Sequence, residues 1–398
     1  MKERIFENTI KLMVGDGIVN SLPYTLTQKN CEKVMIVCDE PAYRLGYVDL
    51  VKNALSSSPI EVKYIYKGVG DIALDTDAED IARNYKYFKC DCIIAIGKKS
   101  AIMAAKGAKV LITEDVRYVS SFKSKGLTEY PTDNALLVCV PINFGSGFEA
   151  MSVARLYEKS HSSIYEITTR YAATDILCLD TKMTDITPPK AIATYGLFAL
   201  SLAIECFIDD DTNMIAKAYA DAAIGIIYRY LNKCIFKNAN NEYRQKIMEA
   251  VGFAGCGYAI INRNELLSPL SDIISDKYLA NFANIYAILF RQYVKNIELG
   301  RAFGYALNSM VEPNDFALYA KESRAQKTLA QIENLFKNIE DCVDFNAHLA
   351  DFGVNEEDLE SIADAYERGN ENKEYTKDKV LELLRACLWC KREITKKN

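Results

Sequence analysis

The chain has 398 residues, 49% hydrophobic, 26% charged and 11% aromatic, with 48 Lys and Arg against 54 Asp and Glu, a net charge of −6. This is the make-up of a folded globular protein of roughly two or three domains. It excludes a disordered or low-complexity chain and offers no basic excess for nucleic acid or an anionic membrane. Histidine is scarce: His161 and His348 are the only two, so a site built on several histidines is excluded.

The opening residues, Met1-Lys-Glu-Arg-Ile-Phe-Glu7, are charged and lack the apolar stretch of a secretory signal. The twelve cysteines form no dense framework, which fits reduced thiols and a cytoplasmic protein. Gly15-Asp16-Gly17 reads as a loop ahead of the first clear strand. That strand is Lys33-Val-Met-Ile-Val-Cys-Asp39, an apolar run ending on an acid. Strands follow at 61–66, 92–96, 135–140 and 176–180, with helical spacing at 78–88 and from Ser100 to about Val110. Cys90 and Cys92 flank the apolar run Cys92-Ile-Ile-Ala-Ile96 and are expected to pack there. Strands alternating with helices predict an α/β domain with a parallel sheet over residues 1–187.

The texture changes at Pro188-Pro189. Apolar residues then recur at three and four over 191–207, 215–235, 243–261, 276–295, 316–339, 356–368 and 376–394, predicting an all-α domain over 188–398. The apolar stretch from Tyr195 to Ile208 contains Glu205 and reads as a buried helix, too short for a membrane span. The acidic stretch 351–377 reads as solvated surface, and both histidines are expected at the surface. Cys387 and Cys390 form a CxxC with no second pair; packing is the simpler reading, and redox or metal chemistry the alternative. The cleft between the two domains is the expected ligand site.

Two glycine-bearing turns follow strands. Gly97-Lys98-Lys99-Ser100 leads into a helix whose free N–H groups and dipole suit a phosphate, with Ser100 able to cap the helix or donate to a phosphate oxygen. Pro141-Ile-Asn143-Phe-Gly145-Ser-Gly147-Phe-Glu149 again allows close backbone approach. A plain tight turn remains open for each when it is read alone.

Taken together, the chain resembles the iron-containing alcohol dehydrogenase family, with a dehydroquinate synthase-like fold. Asp39 stands where that family places an acid facing the adenosine ribose, and residues 97–100 where it has Gly-Gly-Gly-Ser. Ala105-Lys106 matches the Ala-Lys that follows, and Pro141, Gly145, Gly147 and Glu149 match its Pro-Thr-Thr-x-Gly-Thr-Gly-Ser-Glu segment. Leu179-Asp180, Pro188, Gly196, Ala199-Leu200, Glu205, Arg244, Met248, Ala250, Ala254-Gly255, Asn262 and Pro269-Leu270 continue the match, from about Gly15 to Asn296. The resemblance implies an NAD(P)-dependent oxidoreductase acting on a small alcohol or aldehyde. Its cofactor-binding residues here would be Asp39, Gly97, Lys98, Lys99, Ser100, Asn143, Gly145 and Gly147, with NAD favoured over NADP by Asp39.

The family holds its metal with one Asp and three His. Those positions fall on Phe198, Leu202, Asn264 and a residue near Phe282, with a further active-site histidine falling on Ser268. No iron or zinc is therefore expected, and no catalytic residue can be named. Carboxylates such as Glu205, Glu265 and Asp272 are a remote substitute set. Two readings result: a metal-independent or catalytically degenerate nucleotide-binding protein, or a non-catalytic regulatory or assembly partner of the same fold. Acyl or phosphoryl chemistry lacks a Ser-His or Cys-His arrangement. The expected partner is a small molecule or dinucleotide, with a homodimer compatible and neither nucleic acid nor membrane involved.

Overall fold

The computed structural model describes residues 10–122, 134–158, 163–209, 212–236, 240–259, 266–296, 300–369 and 375–389. Its first part alternates strands and helices in the order β1 (Lys11–Gly15), α1 (Leu22–Thr27), β2 (Lys33–Asp39), α2 (Glu40–Arg44), α3 (Tyr47–Leu55), β3 (Glu61–Val69), α4 (Asp75–Tyr87), β4 (Cys92–Gly97) and α5 (Lys99–Thr113). After these come β5 (Leu136–Pro141), β6 (Val153–Glu158), β7 (Ser163–Thr168) and β8 (Ile176–Asp180). Six strands form one parallel sheet in the order β1-β8-β5-β4-β2-β3.

All five expected strands lie in this sheet. The apolar runs of β2, β4, β5 and β8 are buried along nearly their whole length, as strands covered on both faces must be. β3, at one edge, alternates between partial burial and exposure. Two features depart from expectation. Gly15 is not in a loop but ends β1, a five-residue edge strand too short and too mixed to announce itself. β6 and β7 form a separate antiparallel hairpin, with Arg155 opposite Glu166 in an ion pair of 3.1 Å. His161 lies outside the described residues.

The rest of the chain is helical among the described residues: α6 (Pro189–Ile208), α7 (Met214–Ile235), α8 (Asn241–Tyr258), α9 (Leu267–Tyr278), α10 (Phe282–Asn296), α11 (Arg301–Tyr305), α12 (Leu307–Met310), α13 (Pro313–Leu318), α14 (Arg324–Cys342), α15 (Glu356–Gly369) and α16 (Lys377–Leu388). Two expected helices are broken. The 276–295 run splits where Leu279 takes a left-handed conformation at φ 50°, capping α9. The 316–339 run splits between α13 and α14 at a short 3-10 turn. The 351–377 stretch is not wholly solvated, because α15 buries Leu359, Ile362, Ala363 and Tyr366. His348 is half-buried at the start of a 3-10 turn, where its N–H donates to Asp351.

The chain forms two compact units: Met1–Thr187 with Asn240–Ala259, and Pro188–Ala239 with Ile260–Asn398. The helix expected over 243–261 in the helical domain is thus α8, and it belongs with the sheet. Gly252 explains why: it lies under Leu179 of β8 and Leu12 of β1, where a Cβ would come 3.3 Å from Leu179 Cδ1. In the second unit α6 runs 20 residues, longer than the apolar stretch suggested. By length and composition it could cross a membrane, yet 78% of its most apolar window is buried within the protein. Cys387 is buried on α16; Cys390 lies outside the described residues.

Candidate functional site

β2, β4 and β5 are neighbours in a parallel sheet, so their carboxyl ends share one edge. In open α/β sheets this is the edge where ligands bind. β2 ends on Asp39, and the chain turns at once into α2. The Asp39 carboxylate caps that helix, its Oδ1 accepting from Ala42 N at 2.8 Å. Its Oδ2 accepts from Lys98 N at 2.6 Å, just beyond the end of β4. Burial pushes the Asp39 carboxyl pKa up, against the pull of the Lys98 and Ala42 N–H groups. Asp39 is only 2% exposed, so the acid expected to face a ribose is turned towards the protein's own backbone.

Gly97 is glycine because of this contact. A Cβ there would lie 2.6 Å from Asp39 Oδ2 and 2.8 Å from Ala101 Cβ. The two lysines that follow are each engaged. Lys98 Nζ lies 3.3 Å from Asp71 Oδ1, with both side chains reaching solvent. Lys99 Nζ stands 4.3 Å over the Phe148 ring, a cation–π contact to the neighbouring turn. Ser100 does not cap α5. The helix begins one residue earlier, with Lys98 at the N-cap, so Ser100 is a buried residue of the first turn.

The second turn joins the first through Ile142 N, which donates to Gly97 O at 3.1 Å. Asn143, Gly145 and Gly147 all have positive φ, at 60°, 79° and 78°. Glycine takes that region without strain, and asparagine is among the few other residues that tolerate it. The Asn143 Oδ1 accepts from Thr187 Oγ1 at 3.2 Å, so this side chain too is held internally. Glu149 closes the turn, accepting from Ser146 N and Ser146 Oγ at 2.9 Å each. The Gly147 carbonyl approaches Gly255 of α8 so closely that a Cβ on Gly255 would overlap it. Lys106, fully buried on α5, donates to Phe148 O at 2.8 Å and to Met151 O, holding the turn from behind.

The structure therefore brings Asp39, Gly97, Lys98, Lys99, Asn143, Gly145 and Gly147 to one sheet edge and ties them together. Asp71 is a member that sequence reasoning missed. It follows β3, the strand next to β2, and nothing in its local sequence marks it. Asp180 does similar work at the end of β8, accepting from Gly17 N, Val19 N and Lys182 N at 2.9 Å each.

In the second unit Phe198 is fully buried on α6. Its ring meets Phe282 and Tyr286 of α10 edge-on, at centroid distances of 5.8 and 5.1 Å. Leu202, one turn on, is buried beside it in sequence, and Ser268 is buried on α9. Tyr286 donates its hydroxyl to Glu205 Oε1 at 2.8 Å. Asn262, Asn264 and Glu265 lie outside the described residues. Among the described residues no group of three or more His, Cys, Asp or Glu is placed to hold a metal ion.

Two family models cover almost the entire chain: iron-containing alcohol dehydrogenase over residues 9–181 and the C-terminal domain of the Fe-containing alcohol dehydrogenase family over 192–388. The chain belongs to the iron-containing alcohol dehydrogenase family. Sulfoacetaldehyde reductase of Bilophila wadsworthia (strain 3_1_6) is 24% identical over 388 residues, spanning 94% of this chain and 97% of the relative. NAD-dependent methanol dehydrogenase of Bacillus methanolicus is 22% identical, spanning 88% of this chain and 90% of its own. Among solved structures, a 1,3-propanediol oxidoreductase superposes with a TM-score of 0.86 at 21% identity, covering 97% of this chain and all of that one. The sulfoacetaldehyde reductase of Bifidobacterium kashiwanohense, solved in complex with NAD+, superposes with a TM-score of 0.80 at 16% identity, covering 97% and 99%. These neighbours share the parallel-sheet and helical architecture of this chain.

Proposed function

We propose that this protein binds a dinucleotide, NAD, at the carboxyl edge of its sheet, and that it does so without a divalent metal. The observation that carries the first half is the joined pair of turns at 97–100 and 143–147. Gly97 and Ile142 link them, and α5 presents the amino end of its first turn beside two lysines. Helix amino ends carry unsatisfied N–H groups and a positive partial charge, which suit a diphosphate. The relatives named for NAD support the same reading.

The second half rests on donor chemistry. By the family resemblance the metal would sit among Phe198, Leu202, Asn264 and the neighbourhood of Phe282. A phenyl ring and an isobutyl group have no lone pair to give, and the chain's two histidines could not supply three ligands. The edge-on packing of Phe198 with Phe282 and Tyr286 supports an apolar filling of that place. These residues do not fit iron or zinc. A bound nicotinamide would supply hydride exchange, yet no group on this chain is assigned to polarise a carbonyl or hold an alkoxide. The reading is therefore a dinucleotide-binding protein whose alcohol dehydrogenase chemistry is lost or metal-free. A non-catalytic partner of the same fold is the second reading, favoured by the internal engagement of Asp39 and Asn143.

Replacing Lys98 and Lys99 together with glycine tests the site. If their ammonium groups release Asp71 and Phe148 to meet the diphosphate, NAD titration gives weaker binding by about tenfold, the worth of one or two charge-assisted contacts. Tighter binding shows that the lysines obstruct the loop. Unchanged binding removes the loop from the site, and no binding of NAD to the unaltered protein leaves the non-catalytic partner.

A further inference from the structure

β2 lies between β4, which leads into the 97–100 turn, and the edge strand β3. In dinucleotide-binding sheets the strand beside the phosphate turn ends on an acid that takes the ribose 2′-hydroxyl, and a cation nearby accommodates a 2′-phosphate instead. Asp39 has the position of that acid but not its freedom. At 2% exposure it commits Oδ1 to Ala42 N and Oδ2 to Lys98 N. The other charges of this corner stand in pairs. Lys98 Nζ lies 3.3 Å from Asp71 Oδ1, and Arg44 Nη1 lies 3.4 Å from Glu40 Oε1 on α2. Lys67 of β3 is the exception. Its ammonium stands 4.0 Å over the Tyr43 ring of α2, and no carboxylate among the described residues bears on it.

A β-bulge aims Lys67 at that ring. Val37 pairs with Tyr66 and Asp39 with Val69, so Lys67 and Gly68 together stand opposite Cys38. Bulges at sheet edges redirect the side chains they carry. Gly68 suits this one, since a Cβ there would lie 2.9 Å from Tyr66 Cζ. Tyr66 turns to α4, where its hydroxyl donates to Asp77 Oδ1 at 2.9 Å, while Lys67 turns to α2. Lys67 and Tyr43 are both exposed, so a ligand at the carboxyl edge of the sheet meets an ammonium resting on an aromatic plane.

We propose that Lys67 and Tyr43 form a subsite for a 2′-phosphate, so that this protein binds NADP about as well as NAD. The inference rests on the dinucleotide reading and reverses the preference expected from Asp39. Selecting against NADP takes an unpaired negative charge facing the 2′-position. Asp39 is buried among N–H groups, and burial pushes its carboxyl pKa up. Asp71, the exposed acid nearby, has the Lys98 ammonium beside it. Lys67 supplies the remaining charge, which is positive. Its contact with the Tyr43 ring is weaker than a charge-assisted bond to phosphate, so the ammonium can leave one for the other.

Titration of the full-length protein with NAD and with NADP tests this. The two dissociation constants should agree within about tenfold, whereas an unpaired carboxylate facing the 2′-phosphate disfavours NADP by about a hundredfold or more. Lys67→Met should lower the NADP-to-NAD affinity ratio about tenfold, the worth of one charge-assisted contact, and Lys67→Arg should restore it. Lys67 is exposed, so neither change threatens folding. NADP weaker than NAD by more than tenfold in the unaltered protein would overturn the subsite, as would a ratio that Lys67→Met leaves unmoved. Binding of neither dinucleotide removes the dinucleotide reading itself, and the subsite with it.

Discussion

Lys109 shows what a single buried charge does to this protein. It is fully enclosed on α5, donating to Ala173 O and to Asp175 Oδ2 at 2.7 Å each. Desolvation pulls its pKa below the ordinary 10.5, and the Asp175 carboxylate recovers only part of the difference. A lysine whose pKa is lowered by folding costs stability while it is charged. That cost is full below the depressed value and is lost as pH rises through it towards 10.5. The stability of the protein relative to Lys109→Met should therefore shift in the protein's favour between pH 7 and pH 10, as read by urea unfolding of both. A difference that stays constant would mean that the ammonium is compensated in full. Phe198 and Leu202 carry the opposite test. Restoring Asp and His there together removes a buried ring and buries a carboxylate and an imidazole without the other ligands. We expect a loss of at least about 3 kcal/mol in denaturant unfolding and no gain of iron binding. Unchanged stability would reveal an open, wet pocket instead of a filled one.

At the scale of elements, glycines separate packing that is fixed by backbone from packing that can yield. Gly255 of α8 faces the Gly147 carbonyl, and a Cβ there would also lie 2.9 Å from the Gly147 carbonyl carbon. Backbone in a turn at positive φ has little room to move. Gly255→Ala should cost about 2 kcal/mol and weaken NAD binding, because it pushes the 143–147 turn away from α8. Gly196 of α6 is as crowded, but by the end of the Leu231 side chain, which has other rotamers. Gly196→Ala should stay within about 1 kcal/mol of the unaltered protein, the helical preference for alanine offsetting the shift. Equal losses in thermal unfolding of the two variants would contradict this account. The same elements show what the sequence discloses. The doubly covered strands were legible because burial on both faces demands unbroken apolar runs, as in Cys92-Ile-Ile-Ala-Ile96. β1 was not, because a five-residue edge strand needs only one buried side chain, Met13. The break at Leu279 was hidden because a leucine in the left-handed region carries no residue signal, whereas glycine or asparagine would have.

At the scale of the molecule, the alternation of strands and helices followed by helices alone was plain from periodicity. The return of α8 to the sheet was not. Its apolar spacing looks like that of its helical neighbours, and only Gly252 and Gly255, read against Leu179 and Gly147, reveal its partner. The candidate site was legible in the same divided way. Its glycines stood out because close approach and positive φ demand them. The commitments of Asp39 to Lys98 N and of Lys98 to Asp71 rest on contacts between strand ends far apart in sequence. The central claim joins a retained dinucleotide site to a lost metal site, and one measurement addresses both: calorimetric titration of NAD into the purified protein, first with a chelator and then with added ferrous iron or zinc. The account predicts saturable binding with the same midpoint in each case and no heat from the metal alone. NAD binding that appears only with the metal, at one ion per chain, would contradict it.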